Sequence, residues 1–74
     1  MNELILVKEI YPLYAVRKSS EEFKNIAEIK IIDKGNAWKC TFKPKNDIQL
    51  SILISEYENY IIDLINSEKL YDVY

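Results

Sequence analysis

Hydrophobic and polar residues alternate with two different periods along this chain, and the two periods predict different elements. Alternation on both sides of Gly35 is typical of a β-hairpin. An aliphatic run near the start predicts another strand, and apolar residues at helical spacing predict two helices. In chain order, the predicted elements are a strand over 4–10, a helix over 12–25, strands over 27–33 and 37–43, and a helix over 47–67.

Local signals mark where the two predicted helices begin. Pro12 suits the first helical position, because its missing N–H needs no partner there. Asn46 is placed to cap the second helix, with Gln49 as its capping-box partner. The second helix has a predicted length of about 31 Å, whereas a strand of six or seven residues spans about 20 Å, so we expect the helix to overhang the sheet.

The element order β-α-β-β-α predicts a small α+β domain with two layers, in which both helices cover one face of the sheet. Residues 70–74 are compatible with a short fourth strand or with a frayed tail. A fourth strand makes the fold ferredoxin-like, and a tail leaves three strands with an open edge. The 74 residues contain no repeat and no linker, so we expect a single domain over 1–74.

Composition excludes several kinds of site. The sequence has no histidine, one cysteine and one glycine, which excludes His-based catalysis, a Cys-only zinc site and glycine-rich nucleotide-binding loops. We therefore expect no cofactor and no metal. No apolar run is long enough to span a membrane, and the start of the chain lacks the features of a signal peptide. A cytoplasmic location without membrane contact is the resulting expectation.

Charge is unevenly distributed along the chain. Residues 1–46 hold nine basic and six acidic residues, a balance of +3, whereas residues 47–74 hold one basic and six acidic residues, a balance of −5. This argues against a nucleic-acid surface in the second half. The outer face of the hairpin is a candidate RNA-binding surface. RNA-binding sheets carry aromatic residues on the face that binds, however, whereas the aromatic residues of this hairpin lie on its opposite face. The outer residues are Lys30, Lys39, Thr41 and Lys43.

Two groups of residues are candidates for chemistry. Cys40 is either a nucleophile, which needs a base that the sequence does not offer, or a buried thiol between Trp38 and Phe42. Three acids of the second helix can be read as a metal or acid–base cluster, as a solvated acidic face, or as a docking surface for a basic partner. These acids are Glu56, Glu58 and Asp63.

Six tyrosines in so short a chain point to an interaction surface, since they cannot all be buried in a small core. Scattered surface aromatics are the alternative. The apolar face of the second helix is also wider than a small sheet requires. We therefore predict partner contacts on this helix, at Tyr57, Tyr60, Ile61 and Ile62.

Short motifs resemble those of the HxsD family, the small D protein of the His-Xaa-Ser peptide-maturation system. Residues 10–16 (IYPLYAV) resemble the end of that family's first strand and the start of its first helix, and Phe23 stands where the family has an aromatic residue. Residues 40–45 (CTFKPK) resemble its strand ending near a proline, and residues 54–61 (ISEYENYI) resemble its signature in the second helix. The resemblance spans about residues 5–66.

This resemblance implies an accessory role beside radical SAM enzymes that modify a small, ribosomally made peptide. It implies no catalytic residues. We therefore expect a non-enzymatic protein that binds a radical SAM maturase or its precursor peptide, by strand addition to a sheet edge or by docking through the second helix. The alternative is a self-associating structural module, in which the overhanging helix pairs with a second copy across a two-fold axis.

Overall fold

A computed structural model describes the backbone of residues 2–72 and the side chains of residues 2–67. Two helices and a three-stranded antiparallel sheet follow each other in the predicted order, which confirms the α+β class. The elements are β1 (Glu3–Val7), α1 (Leu13–Glu22), β2 (Ala27–Asp33), β3 (Ala37–Pro44) and α2 (Leu50–Asp72).

The hairpin of β2 and β3 lies within one residue of its predicted bounds. Its turn is closed by the Lys34 N–H, which donates to the Ala37 carbonyl over 2.9 Å, and by the Gly35 N–H, which donates to the Asp33 carboxylate over 2.9 Å. Gly35 has a φ of +85°, a conformation that is strained for any residue with a Cβ atom. The glycine therefore determines where the hairpin turns.

The strand order is β1-β3-β2, so β3 lies in the centre and is antiparallel to both neighbours. β1 and β2 consequently run parallel to each other, without being adjacent, and α1 connects them. Both edges of this sheet are formed by strands that have a neighbour on one side only.

Several of the predicted boundaries are wrong, including the end of α1, which lies at Glu22 rather than at residue 25. β1 ends at Val7 rather than at residue 10, because the Val7 carbonyl accepts the N–H groups of Ile10 and Tyr11 and turns the chain. Pro12 has an extended ψ of 151° and caps α1 instead of belonging to it. The capping box is also wrong, because α2 begins at Leu50 and not next to Asn46.

The far end of α2 also differs from the prediction. Leu70, Tyr71 and Asp72 belong to the helix, so they do not form a fourth strand, while residues 73–74 lie outside the described part of the chain. With 23 residues α2 is about 34 Å long, against about 26 Å for the eight residues of β3.

The core lies between the helices and one face of the sheet. Cys40 and Phe42 of β3 point inward, as the alternation predicts, and Leu6 of β1 is buried with them. Ala27 of β2 and residues of both helices contribute the other members, and the half-buried Trp38 packs against the cluster. The helix residues of this core are Ala15, Val16, Leu53, Tyr57 and Ile61. No helix among the described residues has the length and apolar character needed to cross a membrane.

Candidate interaction surface

Four residues of α2 carry the predicted partner contacts, and the structure divides them into two pairs. Tyr57 and Ile61 are 0% exposed and belong to the core, because their side of α2 faces the sheet. Tyr60 is half-buried, with its ring centroid 5.8 Å from that of Phe23, and Ile62 is 40% exposed. A partner cannot reach Tyr57 or Ile61 without opening the core. Of the four predicted contact residues, only Tyr60 and Ile62 have side chains that a partner can reach.

Tyr57 has a structural role that explains its burial. Its hydroxyl lies 2.8 Å from the Ser20 hydroxyl, and both hydroxyls lie within hydrogen-bonding distance of the Val16 carbonyl. Its ring packs edge-on against Phe23 and Phe42, with centroids 5.4 and 5.1 Å away. Burial raises the pKa of the Tyr57 hydroxyl well above its usual value, so this group stays protonated and ties α1 to α2.

Cys40 is completely buried, as one of its two interpretations requires. Desolvation raises the pKa of its thiol, although a hydrogen bond with Tyr57 acts in the opposite direction. The thiolate is the nucleophilic form of cysteine, and this site disfavours it. The geometry therefore favours a packing role for Cys40.

The acids of α2 do not converge on a common point. Glu56 and Asp63 are exposed and lie two turns apart, while Glu58 is partly buried on another side of the helix. Within the part of the chain that the structure describes, no three acid, histidine or cysteine side chains could together hold a metal ion. The arrangement fits the interpretation as a solvated acidic face.

The remaining tyrosines are spread over the molecule. Tyr14 is half-exposed on α1, and Tyr11 is partly buried at the end of the sheet. The side chains of Tyr71 and Tyr74 lie outside the described residues. The described tyrosines thus do not form one continuous aromatic surface.

The surface of the sheet that faces away from both helices is exposed, and we call it the open sheet face. Its members alternate with the inward residues of all three strands. Three of them are large aliphatic residues, Ile5, Val7 and Ile32, which are 56%, 45% and 41% exposed. The other members are Glu3, Glu28, Lys30, Ala37, Lys39, Thr41 and Lys43.

Sequence reasoning placed the lysines on this face but missed the three aliphatic residues. Residues 4–7 are all aliphatic, so nothing in that run says which side is exposed. Ile32 was missed for the same reason, because it directly follows the aliphatic Ile31. The register of the alternation in β3, extended across the ladder to β1 and β2, is the signal that could have found them.

One of the three lysines of the open sheet face is paired with an acid. The Lys39 ammonium lies 2.9 Å from a carboxylate oxygen of Glu3, its diagonal neighbour across the ladder. The described members of this face are aliphatic, charged or small, and none of them is aromatic. The face thus lacks the stacking platforms that single-stranded RNA requires.

The free edge of β1 offers unpaired backbone groups. The Asn2 carbonyl accepts the Phe42 N–H, and the Lys8 N–H donates to Asn36, so the even-numbered residues of this segment pair with β3. Because bonded positions alternate along an antiparallel ladder, the backbone groups of the odd-numbered residues, Glu3, Ile5 and Val7, point away from the sheet. The Val7 carbonyl is taken by the following turn, and the other odd-numbered groups remain available.

The free edge of β2 is better protected than that of β1. Glu28 and Lys30 project beside it on the open sheet face, and charged side chains at an edge discourage pairing with another strand. Beside the edge of β1 stand the exposed Ile5 and Val7, with Glu3 as the charged neighbour. β1 is therefore the edge that another strand joins more favourably.

An ionic cluster closes one end of the sheet. The Lys8 ammonium lies 2.6 Å from the Asp33 carboxylate and 4.2 Å above the ring of Trp38, whose Nε1–H donates to the Tyr11 carbonyl. The hydrogen bond from Lys8, together with one from the Gly35 N–H, lowers the pKa of Asp33 below its usual value. These contacts fix the hairpin turn and the end of β1 to each other.

The open sheet face and the edge of β1 thus form one continuous candidate surface. No family model, curated protein or solved structure matches this chain. The function is accordingly argued from this surface and from the motifs that resemble the HxsD family.

Proposed function

We propose that this protein is a non-catalytic accessory protein that binds another polypeptide by adding its strand to the free edge of β1. The observation that carries the proposal is the coincidence of unpaired backbone groups and exposed aliphatic side chains on one short strand, at Ile5 and Val7. Backbone hydrogen bonds supply affinity in this mode of binding, and alternate side chains of the added strand supply specificity.

The resemblance to the HxsD family is the basis for proposing which kind of partner this protein binds. It favours a radical SAM maturase, or the ribosomally made peptide that such an enzyme modifies, in the cytoplasm. A precursor peptide is an extended and flexible chain, which is the form that strand addition requires. The burial of Cys40 and the dispersed acids of α2 support a role without catalysis.

Affinity capture with the full chain tests the choice of partner. We expect extracts of the native host to yield a radical SAM enzyme or a short precursor peptide, identified by mass spectrometry. Recovery of neither kind of molecule contradicts the proposal.

A proline substitution tests the mode of binding. The Ile5 N–H points to the free edge, so Ile5→Pro removes an edge donor and no bond to β3. We expect this variant to lose most of its capture of the partner. Ile5→Thr keeps the N–H and the preference for a strand, so it is the matched control. Equal capture by wild type and Ile5→Pro rules out addition at β1.

Self-association is a second candidate function, and exposed apolar residues on α2 favour it. Ile52 and Ile62 are 47% and 40% exposed on this helix. Pairing of α2 with its copy predicts a dimer that Ile62→Ser weakens. A dimer that Ile62→Ser leaves unchanged argues against this route.

A further inference from the structure

The helix α2 lies above the centre of the sheet, with α1 on one side of it. α1 packs on β2, whereas α2 packs on β3 and on α1. The rings of Tyr60 and Phe23, with centroids 5.8 Å apart, mark the flank of α2 that faces α1. Because the strand order is β1-β3-β2, the opposite flank of α2 faces the side of the sheet where β1 has its free edge.

Three partly buried side chains lie on that opposite flank, which we call the outer flank of α2. Ile54, Glu58 and Ile65 follow each other at spacings of four and seven residues, so they fall on one side of the helix. Glu58 and Tyr60 point about 160° apart around the helix axis, which places them on opposite flanks. The outer flank is thus aliphatic with one carboxylate in its middle.

Glu58 lies at the level of Leu4 along the sheet. Its neighbour Tyr57 packs on Phe42, with ring centroids 5.1 Å apart, and is hydrogen-bonded to Cys40, which is opposite Leu4 in the ladder. Leu4 points to the helix side of the sheet, where it packs against the core. Opposite residues of a ladder point to the same face, so a strand joined to β1 directs the side chain opposite Leu4 toward Glu58.

No basic side chain of this chain is placed to pair with Glu58. Within residues 2–67, whose side chains the structure describes, Glu58 forms no salt bridge. The only base in the sequence of α2 is Lys69, which lies eleven residues, or about 16 Å, further along the helix. Lys8 and Lys39, which lie close to β1, are each held by another acid. The helix side of the β1 edge is therefore acidic.

We propose that the segment joined to β1 is basic, with a lysine or arginine opposite Leu4 that pairs with Glu58. Apolar residues two positions before and after this base contact Ile54 and Ile65, because alternate residues of a strand share a face. The pattern is the same in both chain directions, so it applies to a parallel and to an antiparallel segment. The inference rests on the proposed strand addition and specifies the chemistry of the added strand.

The same charge makes a second copy of this chain a poorer occupant of the edge. In the two antiparallel registers that pair most of the free backbone groups of β1, the residue opposite Leu4 is Leu4 or Leu6 of the partner subunit. Neither residue brings a base to Glu58. A basic segment of another polypeptide satisfies both the backbone groups and the carboxylate.

Titration of the full chain with capped synthetic peptides tests this inference. Peptides of the sequence Thr-Val-Val-X-Val-Val-Thr, in which X is lysine, glutamine or glutamate, differ only at the position expected opposite Leu4. The NMR chemical shifts of the Ile5 and Val7 amides report strand addition, and the dissociation constants report the preference. We expect the lysine peptide to bind about fivefold more tightly than the glutamine peptide, and the glutamate peptide to bind most weakly.

Substitutions on α2 assign the preference to one carboxylate. Glu58→Gln should weaken binding of the lysine peptide to the level of the glutamine peptide, and Glu58→Lys should make the glutamate peptide the tightest. Glu56→Gln is the matched control, because it removes the same charge from an exposed position of α2 that points away from the outer flank. It should leave the order of the three peptides unchanged.

Three results overturn the proposal. Equal affinity for the three peptides, with shifted Ile5 and Val7 amides, retains strand addition but removes its preference for a base. Equal effects of Glu56→Gln and Glu58→Gln assign the preference to the overall charge of α2 rather than to its outer flank. Unshifted Ile5 and Val7 amides with all three peptides contradict strand addition itself, and this inference with it.

Discussion

The hydroxyl of Tyr57 shows how a polar group is accommodated in the interior of this small protein. It shares the Val16 carbonyl with the Ser20 hydroxyl, so its hydrogen-bonding capacity is used although the residue has no exposed surface. The buried Ser19 hydroxyl, which lies on α1 next to Ser20, has no hydrogen-bond partner among the described residues. The Tyr57 hydroxyl therefore stabilises the folded protein, whereas the Ser19 hydroxyl destabilises it.

Tyr57→Phe removes the bonded hydroxyl and keeps the ring that packs on Phe23 and Phe42. We expect the free energy of unfolding to fall by about 1–2 kcal/mol, because a buried hydrogen bond is lost. Urea unfolding followed by circular dichroism measures this change. Ser19→Ala is the contrasting control, since it removes a hydroxyl without a partner and should leave stability equal or higher. Similar losses in both variants contradict the assigned role of Tyr57.

The raised pKa values of Tyr57 and Cys40 predict a loss of stability at alkaline pH. In the unfolded chain both groups release their protons near their usual pKa values, while the folded protein holds them to higher pH. The unfolded state then binds fewer protons, so stability is full below the usual thiol pKa, about 8.5, and falls as pH rises above it. Urea midpoints at pH 8, 9, 10 and 11 should decrease in wild type, and those of Tyr57→Phe should decrease less only above about pH 10, the usual pKa of tyrosine.

At the scale of the elements, the hairpin is the unit that local sequence specifies most completely. Its two strands alternate in register, and Gly35 supplies the positive φ that the turn requires. The Asp33 side chain adds a bond to the Gly35 N–H and an ion pair to Lys8. The alternation and the turn are contained within a few residues, and so the bounds of the hairpin were predictable, whereas the ion pair with Lys8 is a long-range contact.

Gly35→Ala should destabilise the protein by about 1–2 kcal/mol, because a Cβ atom disfavours the left-handed backbone conformation. No atom lies within 4 Å of that Cβ position, so the loss arises from backbone strain alone. Thermal unfolding measures it. Lys34→Ala, at the exposed neighbouring position, should change stability by less than about 0.5 kcal/mol. A Gly35→Ala variant as stable as wild type indicates that the turn adopts another conformation.

The two ends of α2 illustrate what local signals at the element scale leave open. Asn46 and Gln49 match a capping box, but the chain stays irregular until Leu50. Residues 70–72 are compatible with a strand by composition, yet they continue the helix. Short polar motifs are weak signals, because the packing of the adjacent segments decides whether a helix starts at them.

At the scale of the whole molecule, one layer of helices covers one face of a three-stranded sheet, and the opposite face is exposed. A domain of this size has a small core, so each buried side chain contributes a large share of the stability of the domain. The consecutive residues Ile52 and Leu53 of α2 show the contrast, since one is 47% and the other 0% exposed.

Leu53→Ala should lower the free energy of unfolding by about 2–5 kcal/mol, because it leaves a cavity between α2 and the sheet. Ile52→Ala removes a side chain of the same size at an exposed position and should change stability by less than about 0.5 kcal/mol. Urea unfolding of both variants measures the difference. Comparable losses would place Ile52 in an interface rather than in solvent.

The sequence by itself determined the elements whose pattern is local. Alternation set the hairpin and its inward residues, and helical spacing set the central parts of both helices, because each period repeats within a few residues. The same spacing also included Tyr57 and Ile61 in the apolar stripe of α2. Nothing local distinguished the members of a wide stripe that face the core from those that are exposed.

Only the tertiary structure decided the strand order and the open sheet face. β3 becomes the central strand when it pairs with β1, a contact between residues thirty or more positions apart that no local period encodes. That pairing also sets which side of residues 4–7 is buried, since every residue of this run is aliphatic. The exposure of Ile5 and Val7, on which the proposed strand addition depends, is thus a consequence of long-range pairing.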